Sequence, residues 1–159
     1  MKNQKPLNTY DEAKEKALRL LEFRSHSEKE LSDKLKMRGA SCEIISDVLD
    51  FCRNYGFVND KEFAKRKAKD LYNLKKYGKR RIEQELKAKG ISSDLIYEAL
   101  CEIDFDENDL ESLVRKKLNK NFEKKNIDKC IRYFLYRGYD FCEIKSCIDK
   151  VLTEEEYDL

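Results

Sequence analysis

Three glycines set the plan of this chain. Gly39, Gly90 and Gly138 are spaced by 51 and 48 residues, and each follows a basic residue, Arg38, Lys89 or Arg137. Eight and four residues before them stand Leu31 and Leu35, Ile82 and Leu86, Cys130 and Phe134. Six and ten residues after them stand Ile45 and Leu49, Ile96 and Leu100, Ile144 and Ile148. A spacing of four places each pair on one helix face. Glycine just past a helix takes the left-handed conformation that closes the last turn. The recurring unit is therefore an amphipathic helix, a stop, and a second amphipathic helix.

The start signals agree with the stops. Ser41, Ser92 or Ser93, and Asp140 follow the three glycines and can accept from unpaired N–H groups. Ser27 with Glu30 and Asp140 with Glu143 have capping-box spacing, and Asn59 with Glu62 opens another helix. One further helix precedes each pair, carrying Ala13, Ala17, Leu20 and Leu21, then Phe63, Ala64, Ala68, Leu71 and Tyr72, then Leu110, Leu113, Val114 and Leu118. A single proline and many Lys, Glu, Leu, Arg and Ala suit helices. The expected fold is all-α, with three tandem three-helix repeats forming an elongated, curved array. Its parts are a flexible N-terminus (1–9), repeats at 10–56, 57–104 and 105–152, and an acidic tail (153–159).

Charge is uneven although the net value is only +2. Nine basic residues and one acid lie between Lys65 and Arg81, whereas acids dominate Glu102 to Glu111. On the helix after Gly78, Ile82 and Leu86 define the buried side, so Arg80, Gln84 and Lys87 point away from it. Lys65, Lys69, Lys75, Lys76, Lys79, Arg80 and Lys87 are the candidate basic face, suited to phosphates or to an acidic protein groove. Tyr72 and Tyr77 lie within the run, Tyr72 as core and Tyr77 as core or a stacking platform for bases.

Several classes of chemistry lack their residues. The six cysteines form no CxxC pair and the one histidine is His26, so the cysteines are read as reduced core thiols without metal. His26, at a helix start between two serines, has no partner suggesting a catalytic base and is expected to be exposed. No glycine-rich phosphate loop is present, and no cofactor or catalytic residue is expected. Without an N-terminal apolar run, a cytoplasmic location is expected. The helix around Cys130 to Tyr136 is apolar on nearly every side, and burial is expected of it, with an apolar patch exposed to a partner as the alternative.

Arg24-Ser25-His26-Ser27-Glu28-Lys29-Glu30-Leu31, Lys34-Leu35 and Arg38-Gly39 occur in order in the first repeat. Tyr55-Gly56-Phe57-Val58-Asn59-Asp60-Lys61-Glu62-Phe63-Ala64, Gly78, Arg81-Ile82, Glu85-Leu86 and Lys89-Gly90-Ile91 follow. This succession resembles the RecX family over about Asp11 to Leu152. The third repeat departs most from the pattern. The repeat spacing itself predicts an elongated monomer, and the lack of catalytic residues predicts no enzymatic activity. The resemblance implies a regulator, mostly an inhibitor, of the RecA recombinase. It would lie in the groove of the RecA filament and modulate recombination, DNA repair and SOS activity. Its implied partners are that filament and single- or double-stranded DNA. Two alternatives stay open on the residues alone: a helical DNA-binding module acting without RecA, and an enzyme using the acidic segment as a metal site.

Overall fold

A computed structural model describes residues 6–157, with side chains through Glu154. Nine helices and no strand occur among the described residues: α1 (Tyr10–Phe23), α2 (Glu28–Met37), α3 (Cys42–Asn54), α4 (Asp60–Asn73), α5 (Lys79–Ala88), α6 (Ser93–Cys101), α7 (Glu107–Leu118), α8 (Lys124–Tyr136) and α9 (Phe141–Tyr157). Their ends are chemically marked. Ser27 and Glu30 close a reciprocal capping box on α2, Ser41 caps α3, and the Asn59 side chain accepts from the Glu62 N–H at 3.1 Å. The Asp140 N–H donates to Glu143 Oε2 at 3.0 Å before α9.

The chain divides into two compact units. The first comprises residues up to Lys67 together with Leu86–Ala99; the second comprises Ala68–Glu85 and the chain from Leu100 onward.

In the first unit, Ala13 and Ala17 of α1 meet Leu31 and Leu35 of α2 and Ile45, Val48 and Cys52 of α3. The small alanines let α1 approach closely, and the leucines fill the centre with no exposed surface. Truncating either leucine to alanine would cost about 2–5 kcal/mol. Of the stretch expected to be flexible, residues 1–5 lie outside the described ones. Leu7 is buried, and its N–H donates to the Arg38 carbonyl at 2.9 Å.

In the second unit, α7, α8 and α9 enclose Leu110, Val114, Leu118, Cys130, Phe134, Ile144, Cys147, Ile148 and Val151. The start of the expected acidic tail continues α9 to Tyr157, and Glu154 bonds Arg115 of α7; 158–159 lie outside the described residues. One expectation is overturned. On α8 only the face of Cys130 and Phe134 is buried, while Tyr133, Leu135 and Tyr136 are exposed, Tyr136 by 73%. The apolar content of this helix exceeds what one buried stripe can absorb.

Candidate functional site

Of the seven candidate basic residues, Lys65 and Lys87 belong to the first unit and Lys69, Lys75, Lys76, Lys79 and Arg80 to the second. Lys65 is half-buried, and Arg80, Gln84 and Lys87 are exposed as their helical register requires. In the second unit the cations are not all unopposed. Arg80 pairs with Asp140 at 2.6 Å, and Lys69 approaches Glu102 at 3.8 Å. The Lys79 ammonium lies 4.8 Å from the centre of the Phe105 ring. Tyr72 is core: its hydroxyl donates to Asp109 at 3.0 Å and accepts from the Asp106 N–H at 3.1 Å, so its ring is not available to a base. Burial, the largest influence, raises its phenol above the usual range.

The turn between α4 and α5 is held from behind. Arg137 donates to the Lys75 carbonyl, and the Tyr139 hydroxyl donates to the Lys76 carbonyl at 3.1 Å. Burial pushes the Tyr139 phenol up to about 12, which keeps it a donor throughout the neutral range. Lys76 itself is left-handed, with φ of 54°, a conformation that non-glycine residues hold only when their surroundings enforce it. Both carbonyls are thus tied inward.

This turn forms one side of a groove whose other cations the sequence reading did not assemble. Lys116 and Lys117 from the end of α7 and Arg137 from the end of α8 join Lys75 and Lys76, and no carboxylate lines the groove. Among the described residues none of these five side chains makes an ion pair. Leu74, Leu113, Tyr133 and Phe134 supply the apolar part. Lys117 sits 4.2 Å and Arg137 4.9 Å from the Tyr133 ring centre, and Arg81 and Arg137 each sit 5.5 Å from that of Tyr77.

The glycine period explains why this groove is so positive. Shifted by the 51- and 48-residue spacings, Ser27, Glu30 and Lys89 correspond to Gly78, Arg81 and Arg137. In the first unit, Ser27 Oγ donates to the Lys89 carbonyl at 2.6 Å, and Lys89 Nζ reaches Glu30 at 2.6 Å. Burial raises the Glu30 carboxyl, but hydrogen bonds and charges from Arg24 and Lys89 outweigh this and hold it at about 2. In the second unit the matching bond is Gly78 N–H to the Arg137 carbonyl, 2.8 Å, and the place of Glu30 is taken by Arg81. One junction contains its own carboxylate; the other has a second cation there.

His26 corrects a further expectation. It is 3% exposed, with Nδ1 2.9 Å from the Arg24 carbonyl, so Nδ1 carries the proton. Its Nε2 is buried without a hydrogen-bond partner. Burial lowers its pKa below 6.5. The register offered one hint, because position 26 corresponds to the aromatic Tyr77. All six cysteines are free, but only Cys52, Cys130 and Cys147 are buried; Cys42, Cys101 and Cys142 are exposed, which corrects the expectation that all are core thiols. Among the described residues, no group of three or more His, Cys, Asp or Glu is placed to hold a metal ion, and no helix is long and apolar enough to cross a membrane.

The comparisons with known proteins converge. Residues 13–52 match the first three-helix domain of RecX and residues 59–100 the second. The chain is 38% identical over 156 residues to the regulatory protein RecX of Clostridioides difficile, covering 94% of this chain and 73% of that one. It is 34% identical to the regulatory protein RecX of Vibrio vulnificus, covering 83% and 88%. The crystal structure of RecX from Lactobacillus salivarius superposes with a TM-score of 0.78 over 89% of this chain and 95% of that one, at 21% identity. A second crystal structure, of regulatory protein RecX, gives 0.80 over 88% and 73%, at 20% identity. With two domain matches in tandem and relatives this similar along most of its length, the chain belongs to the RecX family of regulatory proteins.

Proposed function

We propose that this protein regulates the RecA recombinase by binding its filament on single-stranded DNA, acting as an inhibitor and without enzymatic turnover. Membership of the RecX family carries the reading. The three repeats, 10–56, 57–104 and 105–152, act as tandem modules of a cytoplasmic monomer that lies in the filament groove. The basic side chains Lys65, Lys69, Lys75, Lys76, Lys79, Arg80 and Lys87 meet acidic groups of the filament or its DNA. Support for a binding role comes from the exposure of Lys69, Lys75, Lys79, Arg80 and Lys87.

The test is RecA ATPase activity on single-stranded DNA with this protein titrated in. Suppression at substoichiometric ratios is expected. The Lys79→Glu, Lys87→Glu double variant should retain its fold, since both side chains are exposed. It should suppress the ATPase severalfold less well at low salt, with the difference shrinking as salt screens the charges. No effect of the parent protein on RecA would overturn the reading, and DNA binding without any such effect would favour a DNA-binding module instead.

A further inference from the structure

We propose that the groove formed by the α4–α5 turn, α7 and α8 docks an acidic protein segment anchored by an aliphatic side chain; this rests on the reading that the protein works by binding another protein. Lys75, Lys76, Lys116, Lys117 and Arg137 converge on a groove that no carboxylate lines. At the corresponding junction of the first unit, Glu30 supplies the missing negative charge by pairing with Arg24 and Lys89. Here Arg81 occupies that position and bonds Glu85 of its own helix, so a counter-charge for the groove has to come from outside it.

The apolar floor selects between macromolecules. Leu74 is 77% exposed at the groove, with Leu113 and Phe134 behind it. A nucleic acid uses a basic groove through phosphates and stacks bases on free aromatic faces. The aromatic rings at hand are engaged: Tyr133 by Lys117 and Arg137, and Tyr77 by Arg81 and Arg137. An exposed leucine offers a base little, but it matches the aliphatic anchor of a peptide whose carboxylates reach the lysine rim. The site is also preformed. Arg137 and Tyr139 hold the carbonyls of Lys75 and Lys76, and the Gly78 N–H bonds the Arg137 carbonyl, so little ordering is needed when the segment arrives.

Fluorescence anisotropy with the full chain tests this, using a labelled peptide of repeating Glu-Glu-Leu, its Glu-Glu-Ser counterpart of equal charge, and an oligothymidylate. The leucine peptide should bind about tenfold more tightly than the serine peptide, as expected for one buried aliphatic side chain. Lys116→Glu with Lys117→Glu should weaken it by about tenfold. Leu74→Ser should abolish the preference for leucine while leaving the melting temperature unchanged, and Lys124→Glu with Lys125→Glu, exposed at the start of α8, should have little effect. Equal binding of the two peptides, or indifference to the Lys116 and Lys117 reversal, overturns the proposal. So does oligothymidylate binding that this reversal abolishes and Leu74→Ser leaves intact, which would make the groove a nucleic-acid site. Because no RecA is present, peptide binding stands or falls separately from the RecA ATPase result.

Discussion

Three glycine-to-alanine substitutions separate the cost of a backbone conformation from the cost of a backbone contact. Gly56 has φ of 70° and nothing within 4 Å of where a Cβ would stand, so alanine there meets only the left-handed penalty, about 1–2 kcal/mol. Gly78 has no positive φ, but its Cβ would lie 2.5 Å from the carbonyl carbon and oxygen of Gly138. Relieving that overlap moves backbone against backbone and loosens two hydrogen bonds, Gly78 N–H to Arg137 at 2.8 Å and Arg80 N–H to Gly138 at 3.2 Å. At about 1 kcal/mol each, the expected loss is roughly 2 kcal/mol. Gly138 combines both effects: its φ is 88°, and its Cβ would overlap the Arg81 backbone nitrogen. Gly138→Ala should therefore cost about 3–4 kcal/mol, the sum of the other two. Urea denaturation followed by circular dichroism gives the three values. The Gly78→Ala, Gly138→Ala double variant should cost clearly less than the sum of its singles, because the contact can be opened only once. If Gly138→Ala proves no worse than Gly56→Ala, or if the double variant is additive, the backbone contact does not hold this junction closed.

His26 gives a pH dependence with a definite sign. Its folded pKa lies below 6.5, so the unfolded chain binds the extra proton first, and stability is complete above about 6.5 and falls as the pH drops below it. Urea midpoints at pH 7.5 and 5.5 should show this loss in the parent and a smaller one in His26→Gln; equal losses would refute it. Glu30 acts in a lower window, its contribution present above 4.5 and lost as the pH falls toward about 2. Lys89→Met removes a partner of this carboxylate, whose side chain is only 11% exposed, and should cost about 1–2 kcal/mol in the urea midpoint. Carbon-detected titration of Glu30 should move upward in the same variant. Cys42, Cys101 and Cys142 are exposed and should react promptly with a thiol reagent, whereas burial raises the thiols of Cys52, Cys130 and Cys147, which should react only on unfolding. More than three prompt thiols would contradict that burial pattern.

The helices and their stops were legible because local rules determine them. Leu31 and Leu35, Ile82 and Leu86, and Cys130 and Phe134 are buried where the four-residue spacing places them, and Ser27 with Glu30 forms the capping box its sequence announces. Features that depend on distant segments were not legible. His26, flanked by serines, carries no local mark of burial; the folded chain encloses it. Reading α8 by its total apolar content suggested burial all round, when the Cys130–Phe134 spacing already marked the single inward stripe. The basic stretch from Lys65 to Arg81 was visible as a run. That Asp140 and Glu102 oppose Arg80 and Lys69, while Lys116, Lys117 and Arg137 join Lys75, depends on contacts across 33 to 62 residues of chain.

The paired junctions also impose a grammar on the order of the modules. The segment after Phe23 ends in a carboxylate, Glu30, that accepts a basic residue from the next module, and either Lys89 or Arg137 would satisfy it. The corresponding segment after Leu74 presents Arg81, which gains nothing from meeting another lysine or arginine. A shortened chain that joined the first module directly to the third would keep a charge-matched seam. A lengthened chain that repeated the middle module would set Arg81 against Lys89 at each added seam. Growth and shortening of such an array are therefore not equivalent, and the asymmetry is written in one position per repeat.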